Sequence, residues 1–338
     1  ISAQERRLKM KFDIDIVVPW VDGGDPAWLA EKRKYRPDAG TDDNVNRYRD
    51  WGLLPYWFRS VEKYAPWVRK IHFVTWGHIP VWLNTENPKL NIVKHSDYMP
   101  EKYLPVFSSH PIELNMHRIA GLAEHFIYSN DDLLFTAPCA PEDFFSDGIP
   151  VDIAMEIPLR FLCGSIDHIT GNNMLVINRR FNKRETEMKN KKIWFSLKAP
   201  KATLKNLYML PGKGFSAFYN PHLMQPFLKS TLEEVWKEEE PVLDGTCSHR
   251  FRSNEDVSQW LFRYWQFAKG NIVQSEKPRG RFFSIGADDA AIKDAVLGHK
   301  YKTVCLSDDE INYDFEKEQA FLHGLFEKTL PEKSSFEI

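Results

Sequence analysis

The stretch Ile14-Asp15-Ile16-Val17-Val18-Pro19-Trp20-Val21-Asp22-Gly23-Gly24-Asp25-Pro26 decides the fold class. Residues 14–21 read as a buried strand, and residues 22–26 are a turn made of the residue types that end one. A largely apolar run of this kind fits a parallel sheet covered on both faces. Working outward, Leu54, Trp57, Phe58 and Val61 recur at helical spacing, and residues 71–76 predict a second strand closed by Gly77. Residues 90–94 predict a third strand, 112–124 a helix, and 126–129 a fourth strand running directly into Asn130-Asp131-Asp132. The order β, α, β, β, α, β predicts an α/β fold, a mostly parallel nucleotide-binding sheet flanked by helices. Ligands of such sheets collect beyond the carboxyl ends of the strands, where both acidic turns lie.

Beyond Pro150, residues 152–157 and 174–177 read as short strands, and the lysine- and glutamate-rich residues 179–205 as a solvated helical insertion. Residues 227–240 and 255–267 read as helices, the second with Val257, Trp260, Leu261 and Tyr264 on one face. Residues 302–306 predict a last strand ending at Asp308-Asp309, and 309–328 a closing helix. With no internal repeat and no low-complexity linker, residues 10–328 read as a single composite domain. Its halves are 10–150, the nucleotide-binding part, and 151–328, with the insertion at about 179–250.

The chain has 338 residues, 43% hydrophobic and 27% charged, enough to bury a full core, which excludes a disordered protein. Its 45 basic and 47 acidic side chains leave a formal charge of -2, so nothing draws the whole molecule to nucleic acid or to an anionic membrane, and any phosphate contact must be local. Cys139, Cys163, Cys247 and Cys305 are widely spaced and form no C-x-x-C pair, which predicts reduced thiols and a cytoplasmic protein. The charged start, residues 1–11, does not read as a signal segment, and no apolar run approaches the roughly 20 residues of a spanning helix. An aromatic content of 14%, with 11 Trp, fits a Trp-rich core or a surface on which sugar rings stack.

Asn130-Asp131-Asp132 at a strand end carries the strongest local chemistry. Adjacent carboxylates at a strand end can hold a hard divalent cation whose other positions go to diphosphate oxygens. Asp pairs also make turns and caps; the preceding strand and the second acidic strand end at Asp308 favour the ion. Asp22-Gly23-Gly24 lets the backbone approach a ribose or base closely, or is a tight turn alone. Arg47 and Arg49, at a predicted helix start, suit phosphate binding or form a solvated charge cluster. His222 can accept a hydroxyl proton and Arg252 can neutralise charge on a transferring phosphoryl group, provided the fold brings them to the cleft. Glu255 and Asp256 read as helix-start acids that serve the dipole.

Four segments together resemble the Stealth family of bacterial capsule sugar-phosphate transferases, to which the catalytic subunit of the animal lysosomal-enzyme N-acetylglucosamine phosphotransferase is also similar. The first is residues 14–23. The second runs from Arg47-Tyr48-Arg49-Asp50 through Ser60-Val61-Glu62-Lys63-Tyr64-Ala65-Pro66-Trp67-Val68, residues 79–83 and Phe107-Ser108-Ser109 to Asn130-Asp131-Asp132. The third is Pro221-His222 with Arg252 and Glu255-Asp256; the fourth is Val304-Cys305-Leu306-Ser307-Asp308. Pro19 and Ser307 depart from the threonine and asparagine common in the family, which bears on sugar choice more than on reaction type.

The resemblance implies a GT-A or Rossmann-like sheet and a nucleotide-sugar donor, usually a UDP-sugar, cleaved between its phosphorus atoms so that UMP leaves. It implies Glu113, Asp132, His222, Arg252 and Asp308 as catalytic residues, and Mg2+ or Mn2+ on Asp131, Asp132 and Asp308. Trp20, Asp22, Gly23, Arg47, Arg49 and Asn130 are then the donor-binding residues. The expected acceptor is a saccharide or lipid-linked saccharide, with peripheral contact at the inner face of the plasma membrane and no nucleic-acid partner. Two other readings stay open: an ordinary glycosyltransferase releasing UDP, and a non-catalytic carbohydrate- or nucleotide-binding assembly subunit.

Overall fold

The computed structural model describes residues 12–36, 49–161, 167–308 and 313–338. The chain enters at β1 (Ile14–Pro19) and turns at Asp22 into α1 (Pro26–Tyr35). Asp25 caps that helix by accepting from the Ala27 and Trp28 amides, and Pro26 takes the first position, where a missing N–H costs nothing. There follow α2 (Leu54–Tyr64), β2 (Ile71–Thr75), β3 (Leu90–Lys94), α3 (Ser109–Leu114), β4 (His125–Tyr128) and β5 (Leu133–Phe135). A small hairpin, β6 (Phe145–Ser146) and β7 (Ile149–Asp152), leads to β8 (Glu156–Ile157). Then come helices α4 (Asp167–Arg180), α5 (Lys183–Lys189) and α6 (Pro200–Met209), and strands β9 (Ala217–Phe218) and β10 (Gln225–Leu228). The chain closes with α7 (Lys229–Cys247), α8 (Trp260–Lys269), β11 (Val273–Gln274), β12 (Gly280–Ser284), α9 (Asp289–Leu297), β13 (Thr303–Ser307) and α10 (Phe315–Thr329).

The central sheet has the order β10-β4-β1-β2-β3, parallel throughout except for β10, which runs antiparallel to β4. Alternation along β1 divides the core. Ile14, Ile16 and Val18 face a cluster containing Trp57, Phe58 and Phe326, whereas Val17 faces a second one containing Phe126, Trp236 and Phe262. Both faces of the sheet are therefore covered, as the apolar run at 14–21 predicts. Asp15 interrupts that run and is wholly buried. It is accommodated by Arg69 (2.8 and 2.5 Å), His72 Nε2 (2.9 Å) and the Ala123 amide (2.8 Å). Burial raises this carboxyl, but the Arg69 and His72 bonds outweigh it and hold it below the usual carboxylate range.

A second sheet, β12-β13-β5, continues from the acidic turn after β4. Gly280 is required where β12 meets β13: a Cβ there would sit 2.1 Å from the Thr303 carbonyl oxygen. The Leu306 amide donates to the Asp132 carbonyl at 3.0 Å, which draws the end of β13, and with it Asp308, beside the end of β4.

Several expectations need correction. Residues 174–177 belong to helix α4, with Ile169, Asn173, Val176 and Ile177 buried at helical spacing; a four-residue apolar run cannot by itself separate buried helix from strand. The helix expected from 112 to 124 ends at Leu114, passes through a 3-10 turn at Met116–Arg118 and breaks at Gly121, whose φ is +75°. Residues 225–228 form a sheet-edge strand ahead of the helix expected at 227, and the helices expected from 255 and from 309 begin at Trp260 and Phe315. Arg49 and Asp50 precede α2 rather than opening it. The insertion is not simply solvated: Lys183 and Trp194 are buried, and Lys183 pairs with buried Glu156 at 2.6 Å.

Candidate active site

The carboxyl ends of β1, β4 and β13 open into one cleft of about 590 Å³. Its floor is the acidic turn after β4. Asp132 lies there with Cys305 of β13, whose thiol donates to the carboxylate at 3.5 Å. The imidazole of His222 completes a group whose ligand atoms all lie within 4.8 Å of one another. His222 comes from the loop between β9 and β10, with a φ of 51°, and its amide bonds to Asn220 Oδ1 at 2.9 Å. A non-glycine residue in that region is strained by on the order of 1–3 kcal/mol, a cost that persists where surroundings fix the side chain. Here Trp260 and Phe282 pack edge-on against the ring.

A carboxylate, an imidazole and a thiol together suit a borderline divalent ion better than magnesium, which prefers six oxygens. Asp131 and Asp308, also expected at the ion, line the same cleft but fall outside this three-residue group. Asp131 is open to the cavity. Desolvation by the surrounding protein pushes its carboxyl up to about 6, Asp50 adding like-charge repulsion, against the lowering effect of the Asp131 and Asp132 backbone amides.

Asp308 is engaged from the opposite side. It accepts from Trp51 Nε1 at 3.3 Å and from the Tyr313 hydroxyl, with Arg49 at 3.8 Å. Arg49 in turn donates to Tyr313 at 2.7 Å and lies 4.8 Å over the Phe315 ring. Its guanidinium is thus held rigidly in the wall of the cleft, where it can meet a phosphate. Arg47 lies outside the described residues.

The wall at β1 is formed by Trp20, stacked on Phe73, and by the Asp22 turn. Asp22 Oδ1 accepts from the Gly24 amide at 2.8 Å, and the Asp22 amide donates to His78 Nε2 at 2.8 Å. Burial holds His78 below the usual histidine range, in keeping with a neutral ring that accepts this bond. Asn130 lines the cleft beside Asp131; Gly23 stands behind the lining, within the turn.

The facing wall comes from α3 and the loop before α8. Glu113 is buried and accepts from the Tyr128 hydroxyl at 2.8 Å. Arg252 reaches Ser109 Oγ at 3.4 Å. Between them lies a feature that sequence reasoning missed. His110, buried at the cleft, bonds through Nδ1 to Asp256 Oδ2 at 2.9 Å, and Asp256 Oδ1 meets His249 Nδ1 at 2.8 Å. Burial raises the Asp256 carboxyl, but His110, the Ser253 amide and His249 more than reverse that, so it is ionised at neutral pH. An ionised Asp256 makes His110 Nδ1 the donor and so fixes the orientation of the ring. Asp256 is therefore more than a helix-start acid. Trp51, Tyr313 and Cys305 were also missed; the Trp and Tyr carried no sequence signal, whereas Cys305 sat three residues from a candidate ligand.

Of the expected residues, Trp20, Asp22, Arg49, Glu113, Asn130, Asp131, Asp132, His222, Arg252 and Asp308 all line the one cleft. A largely parallel α/β sheet whose carboxyl edge gathers carboxylates and an imidazole opposite guanidinium groups is an arrangement that suits a transferase handling phosphate. The description "Stealth protein CR1, conserved region 1" matches residues 12–40, and "Stealth protein CR2, conserved region 2" matches residues 47–151. The chain is 40% identical over 330 residues to the capsular polysaccharide phosphotransferase WcwK of Streptococcus pneumoniae, covering 97% of this chain and 100% of that one. It is 39% identical to the receptor polysaccharide phosphotransferase WefC of Streptococcus oralis, over 96% and 99% of the two chains. Identity to the exopolysaccharide phosphotransferase cps2G of Lactiplantibacillus plantarum is 37%, over 96% of each. The chain belongs to the Stealth family. Among solved structures it is loosely similar to the galactosyltransferase LgtC, with a TM-score of 0.40 at 11% identity over 92% of this chain and 95% of that one.

Proposed function

We propose that this protein transfers a sugar-1-phosphate from a nucleotide sugar, a UDP-hexose or UDP-N-acetylhexosamine, to a saccharide hydroxyl in capsule or cell-surface polysaccharide synthesis. The observation that carries this reading is the convergence of Glu113, Asp132, His222, Arg252 and Asp308 on one cleft from segments far apart in the chain. A non-catalytic binding subunit has no use for that constellation. Since residues of both halves line the cleft, residues 10–328 act as one catalytic unit.

In the proposed reaction the acceptor oxygen attacks the β-phosphorus of the donor, the bond from that phosphorus to the bridging oxygen breaks, and UMP leaves. The product is a phosphodiester between sugar and acceptor. A divalent ion, when bound, polarises the diphosphate. Asp132 and His222, with Cys305 beside them, would hold it, a donor set whose nitrogen and sulfur are poor partners for magnesium. Glu113, whose carboxylate lines the same cleft, would take the acceptor proton. His110, backed by Asp256, orients the acceptor hydroxyl. Arg252 and Arg49 balance charge on the phosphoryl oxygens, and Asp308 keeps Arg49 in place. Trp20 and the Asp22 turn hold the nucleoside end. The reaction runs in the cytoplasm on a saccharide or lipid-linked saccharide acceptor, with peripheral contact at the inner membrane face. Among the described residues no helix is long and apolar enough to cross a membrane.

Purified protein incubated with UDP-sugars, a saccharide acceptor and Mn2+ is expected to release UMP, and to stop on chelation. Release of UDP would make it an ordinary glycosyltransferase instead.

A further inference from the structure

Residues 190–213 differ in character from the rest of the chain. They contain Lys191, Lys192, Lys198, Lys201, Lys205 and Lys213 and not one Asp or Glu, in a protein whose acidic residues outnumber its basic ones. All six lysines are exposed, and among the described residues none of them is in an ion pair. The same segment exposes large apolar side chains: Leu197 is 95% accessible, Tyr208 76%, Leu204 68% and Leu207 48%.

Helix α6 accounts for this arrangement. One face is pinned to the protein by Ala202 and Asn206, both buried. The Asn206 amide group donates to the Ala154 and Trp194 carbonyls at 3.0 and 2.8 Å and accepts from the Glu156 amide at 2.7 Å. The opposite face repeats at i, i+4: Leu204 and Tyr208 form an apolar ridge, with Lys201 and Lys205 alongside. Pro200, Lys201, Leu204, Lys205 and Tyr208 line one shallow concavity.

We infer that this face docks the protein on an anionic lipid bilayer. Protein interfaces select against lysine, whereas unpaired lysines around a Leu–Tyr ridge match a negatively charged membrane surface. The lysine stems lie along the apolar boundary while their ammonium groups reach lipid phosphates. Docking through α6 adds a named surface to the proposed membrane contact and does not depend on the reaction proposed for the cleft.

The test is vesicle flotation of the full chain with phosphatidylcholine vesicles, with and without phosphatidylglycerol. Wild type is expected to bind only the phosphatidylglycerol vesicles and to release as salt is raised. The Lys201→Glu/Lys205→Glu and Leu204→Ser/Tyr208→Ser pairs should each weaken binding more than about tenfold. Their thermal midpoints and turnover on a soluble acceptor should be unchanged, since these side chains touch neither core nor cleft. Three results would overturn the inference: wild type that ignores anionic vesicles, variants that bind like wild type, or light scattering that shows a dimer dispersed by Leu204→Ser/Tyr208→Ser. The last would assign the face to a second copy of the chain.

Discussion

In the proposed reaction His222 holds the ion and Glu113 takes the proton, and substitutions can separate the two roles. Glu113→Gln is expected to lower turnover by about 100-fold or more while leaving Mn2+ affinity, read by titration calorimetry, near wild type. His222→Ala and Asp132→Asn should instead weaken Mn2+ binding and lose turnover together. If Mn2+ binds His222→Ala as tightly as wild type, the imidazole is the base and the ion lies elsewhere. The Asp256–His110 pair makes a subtler claim. Asp256→Asn keeps the shape but removes the charge that fixes the His110 tautomer, so turnover should fall and the pH–rate profile move; a uniform drop with an unmoved profile would mean a packing role only.

At the scale of elements, the buried cluster between β8 and α5 yields a pH prediction. Lys183 sits between Glu156 and Glu187, and burial raises both carboxyls, Glu187 to about 7. Both Glu187 oxygens are buried without a hydrogen-bond partner among the described residues. Folding therefore favours protonated Glu187, so its contribution to stability is present below about pH 4.5 and declines as pH rises toward 7. Glu187→Gln should raise the melting temperature at pH 8 and change it little at pH 4.5; equal effects at both would contradict the assignment. This cluster also marks where sequence reading stops. Strands β1, β2, β4 and β13 were legible because apolar runs ended in Gly and Asp turns, and those turns carried most of the cleft residues with them. The helical nature of 174–177 and the burial of Lys183 were not, because both depend on partners distant in sequence. The His110–Asp256 pair was hidden for the same reason, its members standing on α3 and on the loop before α8.

Across the whole molecule, buried carboxylates tie stability to acid. Burial alone would raise Asp15, Asp152 and Asp256, but cationic or hydrogen-bonding partners, chiefly Arg69, Arg263 and His110, hold all three below the usual range. Their contribution is complete above the unfolded carboxylate range near pH 4 and is lost as pH falls through their lower folded values. Denaturant titrations should give level stability from pH 6 to about 4.5 with respect to these groups and a steep fall below about 4; undiminished stability at pH 3 would contradict their ionisation. The central claim concerns which bond of the donor breaks, and a UDP-sugar labelled at the β-phosphorus tests it most directly. The account predicts that the label passes to the saccharide product and UMP is released unlabelled. Label recovered in UDP, with an unlabelled product, would contradict it.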